Sequence, residues 1–268
     1  MSIFSRRAER AEMAISEHEL SQMTRELDEL HESTFPQVRK AIDDMAVSLG
    51  RVVRHPSTRR GFFVGAAGAV TLGAVAACSN GASPATGSSG SAAPAAPEET
   101  YTGDLKVVAL ATALENLAVA AYGGALKKAG AGQLGTVPPA VATFVQTAMK
   151  QHADHAQAWN AVLSKAGKPT VDTPALTITA DQVSMLNAAT SVPDVAKLAL
   201  NLENVAAQTY TFATANVSDA GGIMTAATIQ PVETMHAAIL NFILGQYPVP
   251  DSFIGVTNSL KPDMLTAK

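Results

Sequence analysis

From residue 104 onward, hydrophobic positions recur with the period of an α-helix rather than with the alternation of a strand. Clusters of Pro and Gly divide this pattern into four long helices and one short helix. The long helices are predicted at residues 104–128, 140–165, 193–215 and 223–244, and the short one at 181–189. Pro231 lies within the last of them and is expected to kink it or to mark a later start. Because the polar, Pro-containing segment 171–179 makes one connection long, the pattern predicts an all-α four-helix bundle with one long crossover.

The four long helices are predicted to form two copies of one helix pair. The segment LENLA at 114–118 recurs as LENVA at 202–206, and in each copy a tyrosine follows the glutamate by seven residues. Seven residues turn an α-helix by about 700°, close to two full turns. Each glutamate therefore shares a helix face with its tyrosine, Tyr122 or Tyr210, and the two pairs are expected to pack about a pseudo-twofold axis.

The glutamates and histidines of residues 101–268 are confined to repeat-related positions, whereas the eight Asp of this region lie elsewhere. This region contains only three Glu and three His. They are Glu115, His152, His155, Glu203, Glu233 and His236. The pairs 152/155 and 233/236 are three residues apart, so each pair lies on one helix face. Buried glutamates in a region without Arg would be unpaired charges, and a bound cation with neutral imidazoles as further donors removes that cost. The sequence therefore predicts a metal site.

The overall composition excludes several functional classes. With 16% charged residues among 268 and a formal net charge of −4, the chain lacks the basic field of a nucleic-acid-binding protein. Its single cysteine, Cys78, excludes an intrachain disulfide and a four-cysteine zinc site. Apart from one glycine-interrupted stretch near residue 70, no apolar run is long enough to cross a bilayer, so the chain is not a polytopic membrane protein.

Segment 58–78 has the features of an export signal. Arg59 and Arg60 precede a short apolar run, residues 64–77, which is rich in Gly and Ala and ends in small residues before Cys78. This order resembles a twin-arginine translocation signal joined to a bacterial lipobox. The resemblance implies cleavage before Cys78 and lipid attachment to its thiol, with the twin-arginine translocon and the lipoprotein-processing enzymes as partners. The protein would then be anchored to the outer face of the bacterial cytoplasmic membrane. Two simpler alternatives are an ordinary positive segment for general secretion and a buried cysteine in a membrane segment.

The segments on either side of the signal differ in character. Residues 79–100, rich in Ser, Gly, Ala and Pro, have the composition of a disordered linker that leads to the bundle domain, 101–245. A tail, 246–268, is expected to pack on the bundle. Residues 1–57 are a polar extension whose apolar positions recur at helical spacing. This extension is either a cytoplasmic helix that binds a chaperone or delays export, or the product of a start codon assigned upstream of Met45, with residues 1–44 untranslated.

The order of the ligand-type residues resembles the ferritin-like superfamily, most nearly its rubrerythrin-type and exported branches. That family's pattern is Glu-x6-Tyr followed by Glu-x-x-His, given twice. The matching elements are Glu115 with Tyr122, Glu203 with Tyr210, and Glu233 with His236. The remaining element departs from the pattern, because His152 stands where the family has Glu, although His155 is in place. The resemblance implies a ferritin-like bundle over about residues 104–244.

The resemblance also implies roles for the predicted ligands. Glu115 and Glu203 would be terminal carboxylates, and Glu233 would bridge two divalent ions. With His152 in place of a second bridge, three carboxylates face two divalent ions, so one ion or two unlike ions also fit. A mixed set of imidazoles and carboxylates suits Fe, and also Mn or Zn. The two tyrosines are expected to hydrogen-bond neighbouring carboxylates rather than to act in redox chemistry.

Two functions are consistent with this resemblance. The first is a di-metal oxidoreductase, with Fe or Mn, that acts on peroxide or O₂. Its electron donor would be external, because one cysteine cannot form a rubredoxin-type site. The second is a non-catalytic structural or stress lipoprotein, with or without metal. The sequence itself makes no choice between an enzyme and a binding protein.

Overall fold

The computed structural model describes residues 16–54, 99–251 and 253–267, which form six α-helices and one 3₁₀ helix, Pro262–Met264. The α-helices are α1 (Glu17–Arg54), α2 (Asp104–Gly130), α3 (Pro139–Lys165), α4 (Thr179–Ala188), α5 (Val192–Asn216) and α6 (Ala220–Ile243). Within these residues, the β-type pairing is one isolated bridge between Leu176 and Leu265. The all-α fold class is therefore confirmed. The predicted signal, with Arg59, Arg60 and Cys78, lies outside the described residues, as does the linker up to residue 98.

Helix α6 begins three residues before its predicted start because of a local capping interaction. The side chain of Asp219 accepts hydrogen bonds from the backbone N–H groups of Gly221 and Gly222. This cap satisfies two N–H groups that a helix start leaves free, and α6 therefore begins at Ala220. Pro231 lies inside the helix, so the alternative that it marks a later start is wrong.

The bundle is built from two helix pairs, α2 with α3 and α5 with α6, and α2 also contacts α5. Helix α2 is its central helix, with residues 107–115 all buried. Among the described helices, α2 is long and apolar enough to cross a membrane, and 72% of that stretch is buried inside the bundle, as is usual for a core helix of a folded domain. Helices α3 and α6 contact each other little, because α1 lies against both.

Helix α1 is a fifth long helix of the bundle, which the prediction of four helices did not include. Every third or fourth residue of α1 is buried, which is the spacing of one helix face. The buried residues of this face include Leu20, Thr24, Leu27, His31, Phe35, Val38, Ile42 and Met45. Since α1 packs on α3 and α6, it covers the side of the bundle that the second helices of the two pairs form.

The C-terminal tail packs on the bundle and on the crossover between α3 and α4. The backbone N–H of Thr177 in the crossover donates to the carbonyl of Met264, at 2.9 Å. The backbone N–H of Leu260 donates to Thr209 Oγ1 on α5, also at 2.9 Å, and Leu260 is buried. These contacts attach the tail to the crossover and to α5.

Candidate metal centre

Six buried side chains from four helices converge in the middle of the bundle. They are Glu115 on α2, His152 and His155 on α3, Glu203 on α5, and Glu233 and His236 on α6, each at most 1% exposed. These are the six residues that the sequence singled out as ligands, and the structure brings all of them together. The i, i+3 spacing on α3 and α6 directs two side chains from each helix to the same place.

The six side chains form two overlapping groups. In each group, one ligand-type atom from every residue lies within 4.8 Å of the others. The first group is Glu115, His152, His155 and Glu233, and the second is His152, Glu203, Glu233 and His236. Because two residues belong to both groups, the cluster could hold one cation or two adjacent cations.

His155 and His236 occupy equivalent places in the two groups. His155 Nδ1 lies 3.3 Å from Glu233 Oε1 and 3.6 Å from Glu115 Oε2. His236 Nδ1 lies 3.3 Å from Glu233 Oε2 and 3.5 Å from Glu203 Oε2. Glu233 therefore turns a different oxygen to His155 and to His236, as expected of a carboxylate between two cation positions. Its Oε2 also lies 3.7 Å from His152 Nδ1. This arrangement has the pseudo-twofold symmetry that the sequence repeat predicts.

His152 presents a different ring nitrogen to each half of the cluster. Its Nδ1 lies 2.7 Å from Glu115 Oε2, and its Nε2 lies 3.1 Å from Glu203 Oε1. A neutral imidazole has a lone pair on one nitrogen only. His152 can therefore serve one cation position at a time while it remains neutral, whereas a carboxylate in its place would offer oxygens to both.

The cluster contains buried polar atoms that the protein leaves without a hydrogen-bond partner. Three of them belong to the predicted ligands: His155 Nδ1, Glu203 Oε2 and Glu233 Oε1. The ion-pair partners of the three glutamates among the described residues are histidines alone. Native interiors rarely leave such atoms unsatisfied. The donor set and its unsatisfied atoms therefore fit a bound cation.

Without a cation, the charges of the glutamates are balanced by the histidines. Burial acts to raise the pKa of Glu115, but His155 and His152 outweigh it and hold that pKa at about 2. Burial acts to lower the pKa of His155, but Glu115 and Glu233 outweigh it and raise that pKa to about 9. The cluster thus combines an ionised carboxylate with a protonated imidazole at neutral pH, and an entering cation competes with the proton on His155.

Each tyrosine of the repeat hydrogen-bonds the glutamate of the other repeat. The Tyr122 hydroxyl donates to Glu203, and the Tyr210 hydroxyl donates to Glu115. Trp159 Nε1–H in turn donates to the Tyr210 hydroxyl, at 3.0 Å. Burial, together with these carboxylates, raises the pKa of both tyrosines well above its usual value, so both hydroxyls stay protonated. They hold one oxygen of each glutamate and leave the other oriented toward the cluster.

Two further residues contact the cluster from outside and a third contacts one of these two, and the sequence reasoning missed all three. His31 Nε2 on α1 lies 3.2 Å from His155 Nε2. The side-chain oxygen of Gln151 lies 2.9 Å from His236 Nε2, and its amide nitrogen donates to Asp28 Oδ1 on α1, at 3.2 Å. His31 falls in the buried stripe of α1, but nothing in the sequence says which surface that stripe contacts.

A cleft with a volume of about 340 Å³ opens beside the cluster, between α1 and α6. His31 and His155 form part of its wall, together with Pro231 and Met235 from α6. His155 therefore lies between this cleft and the glutamates of the cluster.

Comparison with known proteins gives one family match. A family model described as a ferritin-like domain matches residues 103–246, which is just over half of the chain and includes all six clustered side chains. No curated protein and no solved structure matches the chain.

Proposed function

The chain belongs to the ferritin-like domain family, and from this premise we propose that it is an exported, lipid-anchored protein whose bundle binds one or two divalent transition-metal ions. The observation that supports metal binding most directly is the set of buried polar atoms without a partner at His155, Glu203 and Glu233. Among the described residues, these atoms have only ion-pair contacts with one another, with Glu115 or with His236, without a hydrogen bond. A cation would give them ligand bonds and would offset the cost of burying three carboxylates close together.

The two proposed cation positions would use different terminal residues and share one carboxylate. Glu115 and His155 would hold one ion, Glu203 and His236 the other, and Glu233 would contact both. His152 would complete either position. Mixed imidazole and carboxylate ligands suit Fe, Mn and Zn, and among these we propose Fe.

We further propose that the metal-loaded protein is an oxidoreductase acting on peroxide or O₂. Iron or manganese, when bound, would supply the redox equivalents. The protein's own residues bury the cluster from bulk water, and Tyr122 and Tyr210 hold the terminal glutamates by hydrogen bonds. Electrons would come from an external donor, because Cys78 is the chain's only cysteine.

Elemental analysis of the purified full chain tests metal binding. After anaerobic loading with Fe²⁺, Mn²⁺ or Zn²⁺ and removal of excess ion, we expect at least one equivalent per wild-type chain. The double variant Glu115→Gln/Glu203→Gln should lose binding, because each position loses its terminal carboxylate. Asp181→Asn removes an exposed carboxylate on α4 and is the matched control that should bind like the wild type. A wild-type chain that retains no ion above the buffer background contradicts the proposal.

A non-catalytic metal-binding lipoprotein is the second candidate, and His152 is the residue that favours it. With an imidazole in place of a second bridging carboxylate, the cluster is less suited to holding two irons for shared chemistry. Peroxide consumption by the iron-loaded chain, with a chemical reductant present, separates the two candidates. Turnover that the Glu233→Gln variant loses supports an oxidoreductase, and stoichiometric metal without turnover supports the binding protein.

The export proposal depends on residues 59, 60 and 78 and is tested separately. We expect metabolic labelling with a radioactive fatty acid to mark the wild-type chain but not Cys78→Ala. Arg59→Lys/Arg60→Lys should block twin-arginine export, so that the chain accumulates in the cytoplasm at its unprocessed mass. Labelling of the Cys78→Ala variant would contradict lipid attachment at that thiol.

A further inference from the structure

We propose that helix α1 is a functional part of the metal centre, and that its residues His31 and Asp28 are positioning residues for the metal-binding histidines. This inference rests on the proposed metal binding. It assigns residues 17–54 a role in the centre of the unprocessed chain, because the cleavage before Cys78 that the export proposal implies would separate α1 from the exported bundle. Two independent contacts support it, one on each half of the cluster.

The first contact joins His31 to His155. The Nδ1 atom of His155 faces the glutamates of the cluster, and its Nε2 atom lies 3.2 Å from His31 Nε2. When His155 gives its Nδ1 lone pair to a cation, its proton is on Nε2, and that N–H donates to His31. His31 is only 4% exposed and stacks on Phe35, with 4.8 Å between ring centroids, so its ring is held for this contact.

The second contact joins Asp28 to His236 through Gln151. His236 also turns Nδ1 to the glutamates, and its Nε2 lies 2.9 Å from Gln151 Oε1. The amide of Gln151 donates to Asp28 Oδ1, which fixes the amide with its oxygen toward His236. Asp28 and His31 are three residues apart and therefore lie on one face of α1. One helix face thus supports both histidines, each at its nitrogen away from the cluster.

Two glycines at the start of α6 allow α1 to pack closely on the bundle at a second place, away from His31 and Asp28. A Cβ atom on Gly221 would collide with the backbone carbonyl oxygen of Ala41. A Cβ atom on Gly222 would lie 2.8 Å from Met45 Cε, closer than such atoms approach. The two glycines therefore allow the backbones of α1 and α6 to come together, so the packing of α1 does not depend on the histidine contacts alone.

Residues that hydrogen-bond the outer nitrogen of a metal-binding histidine usually increase its metal affinity, because they fix the tautomer and the orientation of the ring. Cobalt binding by the full chain, followed through the Co²⁺ absorption bands and a competing chelator, provides the test. His31→Phe keeps the aromatic shape but removes the acceptor, and we expect Co²⁺ affinity to fall by about 10–100-fold with altered absorption bands. His31→Gln retains an acceptor and should restore affinity to near the wild-type value.

Two further variants separate positioning from folding. Leu27→Ala removes a buried side chain of α1 without touching the histidines, so it should lower the melting temperature and leave the Co²⁺ bands unchanged. Asp28→Ala should weaken Co²⁺ binding in the other half of the cluster. Wild-type affinity in both His31→Phe and Asp28→Ala, or equal losses in His31→Phe and His31→Gln, would overturn the proposal. A wild-type chain that binds no Co²⁺ would instead refute the proposed metal binding.

Discussion

Raising the pH should destabilise the metal-free protein, because His155 holds a proton in the folded state that it loses more readily when unfolded. Its pKa is about 9 in the fold against 6.5 unfolded, since Glu115 and Glu233 outweigh the opposing effect of burial. The stability that this proton contributes is fully present below pH 6.5 and is lost as the pH rises through 9. The difference of 9 − 6.5 pH units corresponds to about 3 kcal/mol at roughly 1.4 kcal/mol per unit.

Thermal unfolding followed by circular dichroism in excess chelator measures this effect. For a domain of this size, about 3 kcal/mol corresponds to a decrease in melting temperature of roughly 6–12 °C between pH 6.5 and 9. The metal-loaded protein should not show this decrease, because the cation replaces the proton on His155 and binds more tightly as the pH rises.

The variant His155→Gln is the matched control, since it retains a polar side chain that does not titrate. Its melting temperature in chelator should fall less over the same range than that of the wild type. A chelated wild-type protein with a constant melting temperature between pH 6.5 and 9 would refute the reasoning, as would an undiminished decrease in His155→Gln.

Three further substitutions have expected outcomes that follow from the geometry. Glu233→Gln should abolish binding at both cation positions, whereas Glu115→Gln should leave one ion bound; competitive titration with a chelator counts the ions. His152→Glu should tighten binding of a second Mn²⁺ equivalent, measured by isothermal titration calorimetry, because it restores a fourth carboxylate. Gly221→Ala should destabilise the packing of α1 by about 1–3 kcal/mol through its clash with Ala41, seen as faster proteolysis within α1 and a lower midpoint of denaturation.

Much of the bundle could be predicted because its signals are local. The apolar period and the Pro and Gly breaks identify the short helix and four of the five long bundle helices, with ends that differ by at most three residues from those observed. The difference at Ala220 has a local cause, the side-chain cap at Asp219, which starts the helix before its apolar pattern begins. An Asp in this position often predicts a helix start, but Gly221 and Gly222 after it favour the end of a helix, and the two signals conflict.

The cluster could be predicted for a different reason, because Glu and His are rare in residues 101–268. Three Glu and three His in 168 residues all fall at repeat-related positions, and helical geometry places those of one helix on the same face. Packing of these faces in the middle of the bundle then brings the six side chains together. The contribution of α1 could not be predicted in this way. Its stripe of buried residues shows that one face of α1 packs against something, but His31 becomes informative only once that face is placed on α3 and α6. The apolar period of a helix shows that one face is buried, but it does not identify the surface against which that face packs.

Anomalous X-ray scattering from crystals of the metal-loaded full chain, collected at the absorption edge of the ion, tests the central claim most directly. The account predicts one or two peaks inside the bundle, each about 2.0–2.2 Å from a Glu233 oxygen and from Nδ1 of His155 or His236. A crystal whose anomalous peaks lie only at exposed carboxylates, with none among these three side chains, would contradict it.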